Sequence, residues 1–255
     1  MLNKFKQAKL TEIEVLKAMK EQGRFPAPWS GARKSLKQAL QNKHGPNIIA
    51  EYKRSSPSLG QISTKSIQKV LTAYKQGGAC AFSILTEERY FQGDIDFLFQ
   101  AADFGLPILR KDFILDPLQV EFTTTTPASA LLLIVRLFSD PKRCQELYEL
   151  SLNLGLEVVV EVFSEADLEI AKQIQAQIIQ VNNRDLDTLT IDLNKSKRLI
   201  QFKQDNECWI SASGLNKPQD LQQLHTLGYD GFLIGTYLMQ QSDISSSLMQ
   251  LRGTA

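Results

Sequence analysis

Three ionisable side chains lie in, or directly after, short apolar runs of the sequence. Glu161 lies between valines in VVVEVF, Lys53 follows the run that ends at Tyr52, and Lys111 follows residues 108–110. A carboxylate in such a run loses hydration and needs a cationic partner, and the two lysines are the natural candidates. A carboxylate with two ammonium groups can donate and accept protons as a general acid–base set. The alternatives are a structural ion pair for Glu161 and solvated loop positions for the lysines.

Small residues follow two further apolar runs near the end of the chain. Ser213-Gly214 and Gly235-Thr236 each stand just before a predicted helix. Backbone N–H groups in such places can hold a phosphate, although small residues also simply permit tight turns. We therefore predict a phosphate subsite formed by Ser213, Gly214, Gly235 and Thr236.

Eight short apolar runs predict the strands that must position these residues. Several lack the period-2 alternation of half-exposed strands, which is typical of parallel strands covered on both faces. The runs are residues 47–52, 80–85, 108–110, 130–134, 157–162, 178–181, 208–211 and 231–234.

Amphipathic segments between these runs predict helices. Ile67–Gln76 has apolar residues at helical spacing and is followed by two glycines. Asp140-Pro141, Ser164-Glu165 and Lys217-Pro218 are typical of helix starts, and Ser245–Leu251 is the last predicted helix.

Repeated strand–helix units predict parallel pairing through right-handed crossovers. Eight such units predict an α/β fold, a closed (β/α)8 TIM barrel, whereas one mistaken strand would leave an open doubly wound sheet. We expect a single domain over residues 1–255, with the barrel in residues 47–255 and an N-terminal helical extension in residues 1–46. The stretch Gly23–Gly31 is expected to be a loop within that extension. The active site of such a barrel lies at the carboxyl ends of its strands, where the polar residues described above occur.

Composition and charge exclude several classes of function. The 255 residues carry 29 Lys+Arg and 28 Asp+Glu, so a net charge of +1 gives no electrostatic reason to expect a nucleic-acid or membrane-surface protein. Two histidines and the widely spaced Cys80, Cys144 and Cys208 form no metal-binding or disulfide pattern, so no metal site is expected. The N-terminus has no signal-peptide core, and no apolar run approaches the roughly 20 residues that span a bilayer. We expect a soluble, cytoplasmic protein.

Several collinear segments resemble the indole-3-glycerol phosphate synthase family of tryptophan biosynthesis. They cover residues 47–240 and include IIAEYKRSSPSLG, SILTEERYFQGDIDFL, LPILRKDFILDPLQV, LEVVVEVFSEADL, IIQVNNRDLDTLTIDL and GYDGFLIGTYLM. The resemblance implies a (β/α)8 barrel that closes an indole ring. The substrate would be 1-(2-carboxyphenylamino)-1-deoxyribulose 5-phosphate, and the products indole-3-glycerol phosphate, CO2 and water. No metal or organic cofactor would be used. The implied partner is this phosphorylated small molecule, and the chain would be a monomer that could associate with other tryptophan-pathway enzymes.

The resemblance also implies roles for individual residues. Lys111 would be the ammonium acid for ring closure, Lys53 would position the substrate and assist loss of the hydroxyl, and Glu161 would transfer protons during dehydration. The implied substrate-binding residues are Glu51, Ser56, Phe91, Phe113, Asn182 and Arg184, with the two phenylalanines beside the aromatic ring. Ser213, Gly214, Gly235 and Thr236 match the family's phosphate loops.

Four places depart from the family pattern, and one of them is the stretch Arg24–Arg33 of the N-terminal extension. Ala212 stands where the family usually has the Glu of an ESG motif, so one active-site carboxylate is missing. Gln180 stands where Gly is usual, and its side chain could crowd the barrel or face outward. The stretch Thr123–Pro127 replaces an Ala-rich helix end, and Pro127 is expected to end that helix.

The sequence leaves two other functions open. A degenerate barrel could bind a phosphorylated ligand or a protein partner with little turnover, which the substitution at Ala212 would suit. A phosphoribosylanthranilate isomerase-like enzyme would need a Cys/Asp pair at strand ends, but Cys80 begins its strand.

Overall fold

The computed structural model describes residues 2–42, 45–186 and 188–254. Eight parallel strands close into a barrel in which each strand pairs with its neighbours in the chain and the last pairs with the first. The barrel strands are β1 (Asn47–Tyr52), β2 (Ala81–Leu85), β3 (Ile108–Lys111), β4 (Ala130–Ile134), β5 (Glu157–Val162), β6 (Ile178–Asn182), β7 (Cys208–Ala212) and β8 (Gly231–Ile234). The closure confirms the (β/α)8 prediction and excludes the open sheet. The predicted strand limits differ by at most one residue, because β2 begins one residue later and β3, β6 and β7 each end one residue later.

Helices surround this barrel and return the chain to its starting end. They are α1 (Leu2–Glu21), α2 (Leu36–Leu40), α3 (Ile67–Gln76), α4 (Glu88–Phe91), α5 (Asp96–Ala101), α6 (Pro117–Thr124), α7 (Pro141–Asn153), α8 (Glu165–Gln173), α9 (Asn194–Leu199), α10 (Pro218–Thr226), α11 (Thr236–Gln240) and α12 (Ile244–Arg252). Short 3-10 turns occur at Ala102–Phe104, Val135–Leu137 and Ile200–Phe202, and Ser55–Ser56 pairs with Gly60–Gln61 in a small hairpin after β1.

The predicted helix starts are confirmed, and the reason is local hydrogen bonding. The side chains of Asp140 and Ser164 accept hydrogen bonds from the first free N–H groups of α7 and α8. Prolines that need no N–H partner occupy the first positions of α7 and α10. Helix α6 ends at Thr124, before Pro127, as expected.

Side chains inside the barrel form levels contributed by alternate strands. Carrying the strand register around the barrel places one residue from each odd-numbered strand at the uppermost of three levels, and these are Glu51, Lys111, Glu161 and Ala212. The even-numbered strands supply the next level, Ser83, Leu132, Gln180 and Leu233. The level below is apolar and consists of Ile49, Leu109, Val159 and Ile210. The charged groups of the interior are therefore concentrated towards the carboxyl ends of the strands.

The N-terminal extension runs from one end of the barrel to the other. Helix α1 packs against α6 and the 3-10 turn after β4, at the carboxyl ends of the strands. Residues 24–34 descend along the outside without helix or strand, as expected for Gly23–Gly31, and the Trp29 ring contacts that of Phe99 edge-on. Helix α2 then closes the amino end, because the backbone N–H groups of Leu36 and Lys37 donate to the Glu157 carboxylate at the start of β5.

The Thr123–Thr126 stretch holds residues 24–34 against the barrel through hydrogen bonds. Each threonine hydroxyl donates back to a carbonyl three or four residues earlier. The Arg33 guanidinium donates to the carbonyls of Thr124 and Thr126, and the backbone N–H of Trp29 donates to the Thr124 carbonyl as well. The frayed helix end thus supplies free carbonyls that an uninterrupted helix would have used internally.

Within the described ranges, no helix is both long and apolar enough to cross a membrane. The thiols of Cys80, Cys144 and Cys208 are all free.

Candidate active site

A cavity of about 300 Å³ opens at the carboxyl ends of the strands. Every predicted site residue lines it: Glu51, Lys53, Ser56, Phe91, Lys111, Phe113, Glu161, Asn182, Arg184, Ser213, Gly214, Gly235 and Thr236. The structure therefore brings residues from seven strand ends and loops into one place. Their individual roles remain predictions.

The charged centre of the cavity is built around Glu51. Its carboxylate lies 2.8 Å from the Lys53 ammonium and 3.7 Å from that of Lys111. Burial alone would raise the pKa of Glu51, but the two lysine charges outweigh burial and hold that pKa below its ordinary value. A side chain at Gly235 would collide with this carboxylate, so glycine is required there by the close approach of Glu51.

Glu161 completes the charged centre from the opposite side. Its carboxylate lies 4.0 Å from the Lys111 ammonium, which places Lys111 between two carboxylates. The Gln180 amide N–H donates a hydrogen bond to Glu161, and both side chains are buried. Sequence reasoning left the direction of Gln180 open, and the structure shows that it faces into the barrel. The arrangement offers acid and base groups within reach of a single bound molecule.

Small residues form the rim of the cavity at the ends of β7 and β8. Ser213 and Gly214 have φ angles of 72° and 80°, a left-handed conformation that turns their backbone sharply. The Asn183 amide donates to the carbonyls of Ala212 and Ser213 and so fixes this turn. The turn and the start of α11 at Thr236 present polar backbone to the cavity, as a phosphate subsite requires.

An aromatic wall lies on the other side of the cavity. Phe113, after β3, stacks on Phe5 of α1 with ring centroids 4.2 Å apart and planes at 11°. Phe91 approaches Phe113 at 6.0 Å. Phe5 was not among the predicted site residues, and its only sequence signal is the amphipathic pattern of α1. This wall suits a flat, apolar ring.

A cluster of four charges, of which all but Glu12 are buried, fixes α1 beside Lys111. The Lys9 ammonium lies 2.5 Å from the Asp112 carboxylate and also pairs with Glu12, while Arg110 lies 2.9 Å from Asp112 and 3.1 Å from Glu12. Burial would raise the pKa of Asp112, but Lys9 and Arg110 lower it well below its usual range. Burial would lower the pKa of Lys9, but Asp112 and Glu12 outweigh burial and raise it. The cluster connects the N-terminal extension to the end of β3, which carries Lys111, and to the loop after it, which carries Phe113.

The cavity has no obvious place for a protein-bound metal. Across residues 2–42, 45–186 and 188–254, no three His, Cys, Asp or Glu side chains come together as metal ligands. Cys80 precedes β2, and no cysteine lines the cavity.

Comparison with known proteins gives a consistent family. The family model for indole-3-glycerol phosphate synthase matches residues 2–251. A protein of Staphylococcus haemolyticus (strain JCSC1435) named indole-3-glycerol phosphate synthase is 38% identical over 218 residues, which cover 85% of this chain and 84% of that protein. A protein of the same name from Staphylococcus aureus (strain Newman) is 38% identical over 222 residues, with 86% and 85% covered.

Solved structures are similar in fold at much lower identity. A 3-hexulose-6-phosphate synthase has a TM-score of 0.63 at 11% identity, covering 82% of this chain and 99% of that one. A thiamine phosphate pyrophosphorylase from Pyrococcus furiosus has a TM-score of 0.60 at 13% identity, covering 83% and 95%. These likenesses support the barrel fold and nothing finer.

Proposed function

The chain belongs to the indole-3-glycerol phosphate synthase family, and from this we propose that it closes the indole ring of 1-(2-carboxyphenylamino)-1-deoxyribulose 5-phosphate. The reaction forms one carbon–carbon bond between the aromatic ring and the ketone carbon. Carbon dioxide leaves from the ring carbon, a hydroxyl leaves as water, and indole-3-glycerol phosphate results. The chain is thus a carboxy-lyase of tryptophan biosynthesis.

Lys111 is the acid of the ring-closing step in this proposal. Bond formation builds negative charge on the ketone oxygen, and an ammonium group held close to that oxygen stabilises and protonates it. The position of Lys111, 3.7 Å from Glu51 and 4.0 Å from Glu161, supports this role, because the two carboxylates hold its charge at the centre of the cavity.

Lys53 and Glu161 act in the dehydration. Lys53 positions the substrate and assists departure of the hydroxyl, and Glu161 transfers a proton during this loss of water, which makes the new five-membered ring unsaturated and aromatic. The shared ion pair with Glu51 supports the role of Lys53, since it holds that ammonium at the same edge of the cavity. Asn182, Arg184 and Ser56 bind polar atoms of the substrate around these groups.

The two rims of the cavity give the substrate one orientation. Its phosphate lies at Ser213, Gly214, Gly235 and Thr236, and its aromatic ring lies beside Phe91 and Phe113. Phe5 extends that wall through its stacking on Phe113. The separation of an aromatic rim from a small-residue rim supports a ligand with a ring at one end and an anion at the other.

The observation that carries the proposal is the charged centre itself. Glu51, Lys53, Lys111 and Glu161 come from three separate segments of the chain, at the ends of β1, β3 and β5, yet all line one cavity in a chain of this family. No finding favours a barrel without turnover. An isomerase using a Cys/Asp pair is disfavoured because no cysteine lines the cavity.

We further propose that the enzyme is a monomer that works in the cytoplasm and can associate with other enzymes of the pathway. The free thiols Cys144 and Cys208 support a reducing compartment, since neither has paired in the structure.

The first experiment is turnover of the carboxyphenylamino-deoxyribulose phosphate, followed by the appearance of indole fluorescence. We expect the wild-type protein to convert the substrate and Lys111→Ala to lose at least about a hundredfold in kcat, the scale expected of a general acid. Circular dichroism of both proteins controls for folding. A wild-type protein that binds the substrate but does not turn it over would contradict the proposal and favour a degenerate barrel.

A further inference from the structure

Gln180 is a buried polar residue that contacts the charged centre from below. It lies in β6, its side chain is 0% exposed, and it does not line the cavity. Its register neighbours are Glu161 of β5 and Ile210 of β7, so it stands between the strand of Glu161 and the strand of Ala212. It belongs to the level of interior side chains directly beneath Glu161.

The orientation of the Gln180 amide is fixed by chemistry. An ionised carboxylate only accepts hydrogen bonds, so the N–H side of the amide must face Glu161 and the carbonyl side must face away. Over the described residues, this is the one side-chain hydrogen bond that the Glu161 carboxylate receives. Lys111, at 4.0 Å, is too distant to fix the orientation of that carboxylate.

The carbonyl end of the Gln180 amide gains no stabilising hydrogen bond from the described residues. Its Oε1 is buried and has no hydrogen-bond partner in the part of the chain that the structure describes. A buried, unpartnered carbonyl costs free energy that an apolar side chain of the same size would avoid. Packing alone therefore does not account for a glutamine at position 180, whereas the hydrogen bond to Glu161 does.

The neighbouring residue on β7 has no side-chain acceptor that could compete with Glu161 for the Gln180 amide. Ala212 shares the level of Glu161 and contributes only a methyl group. A carboxylate at that position would be a second acceptor within reach of the Gln180 amide. With alanine there, the amide has Glu161 as its acceptor.

We propose that Gln180 is a positioning residue for the reaction, which acts by holding the Glu161 carboxylate in the orientation that proton transfer needs. This inference rests on the proposed function. Gln180 does not touch the substrate, so its removal should affect the chemical steps more than substrate binding.

Steady-state kinetics of Gln180→Met tests this proposal, since methionine has nearly the same volume and no donor. We expect kcat to fall about tenfold or more, the scale of a lost hydrogen bond to a charged group, with KM changed less than about threefold. Ser83→Ala is the matched control, because Ser83 lies in the same level and its buried hydroxyl also has no partner among the described residues. That variant should keep kcat within about twofold of the wild type.

A second comparison asks whether Gln180 acts through Glu161. In Glu161→Asp the shorter carboxylate withdraws from the amide, so adding Gln180→Met should change kcat less than about twofold. Gln180→Ala provides the same comparison if the methionine variant does not fold, and thermal melting identifies folded proteins. Two outcomes would overturn the inference alone: an unchanged kcat in the folded variants, or a loss from Gln180→Met that is equal in the wild type and in Glu161→Asp. A wild type without turnover would overturn the proposed function as well.

Discussion

Glu51 gives the two lysines of the cavity a common counter-charge. It lies at the same interior level as Lys111 and Glu161, and its pKa is held low by the lysines in spite of burial. The four charges of Glu51, Lys53, Lys111 and Glu161 sum to zero, so the charged centre is balanced before the substrate arrives. A carboxylate added at Ala212 would leave three negative charges against two positive ones among these groups.

Ala212→Glu tests whether this balance suits turnover. In this chain we expect the added carboxylate to compete with Glu161 for the Gln180 amide and to pair with the lysines, lowering kcat about tenfold. The measurement is kcat for the wild type, Ala212→Glu and Ala212→Gln, where the uncharged variant has similar volume. A large gain in kcat for the glutamate variant would instead mean that the parent enzyme is impaired by its alanine.

At the scale of elements, the N-terminal extension has contacts at both ends of the barrel. Helix α1 brings Phe5 to the aromatic wall at the carboxyl ends, whereas α2 closes the amino end by hydrogen bonds to Glu157. Arg33 fastens the segment between them to the carbonyls that follow α6. The extension therefore contributes to the cavity through Phe5, and the ion pairs of Asp112 are its main polar contacts with the barrel.

Lys9→Met tests that attachment. It removes the cation that pairs most closely with Asp112, and breaking a buried ion pair in this way costs about 3 kcal/mol of unfolding free energy. KM should also rise, because Phe5 on the same helix forms part of the aromatic wall that we propose contacts the substrate ring. Urea unfolding and steady-state kinetics measure both effects.

Lys4→Met is the matched control for this prediction, because Lys4 lies on the same helix and is exposed. It should change the unfolding free energy by less than about 0.5 kcal/mol. Equal stability of the two variants would mean that the Lys9–Asp112 pair does not hold α1 in place.

Elements and cavity residues differed in how far the sequence could predict them. Strand limits and helix starts were predicted well, because apolar runs and capping residues act locally. Lys53, Lys111 and Glu161 were predicted to meet, because parallel strands bring their carboxyl ends together. The direction of Gln180 was not predictable, since a strand buried on both faces has no alternation and its register depends on both neighbours. Phe5 was missed because its contact with Phe113 depends on the path of α1 across the barrel.

At the scale of the whole molecule, the closed barrel separates catalysis from stability. The charged level lies at one end, the level beneath it combines Ser83 and Gln180 with two leucines, and the lowest level is apolar, as is most of the shell between strands and helices. Thiols are buried in both parts, because Cys144 lies in the shell and Cys208 lies in the barrel interior. Burial raises the pKa of Cys144 on α7 to about 12, and burial together with the nearby Asp230 raises that of Cys208 on β7 to about 11.

These thiols make the folded state sensitive to alkaline pH. Their folded pKa values lie above the unfolded value of 9.0, so the folded protein retains protons that the unfolded chain releases. Their contribution to stability is therefore complete below pH 9 and is lost as pH rises towards 11 or 12, at a limiting slope of about 1.4 kcal/mol per pH unit for each thiol.

Urea unfolding between pH 8 and pH 11 should show this loss, and the unfolding free energy of Cys144→Ala should decline less steeply than that of the wild type by the slope of one thiol. The comparison depends on slopes, so the cavity left by the alanine does not affect it. Parallel slopes for the two proteins would show that Cys144 ionises as easily in the folded barrel as in the unfolded chain, and that the shell around α7 admits water.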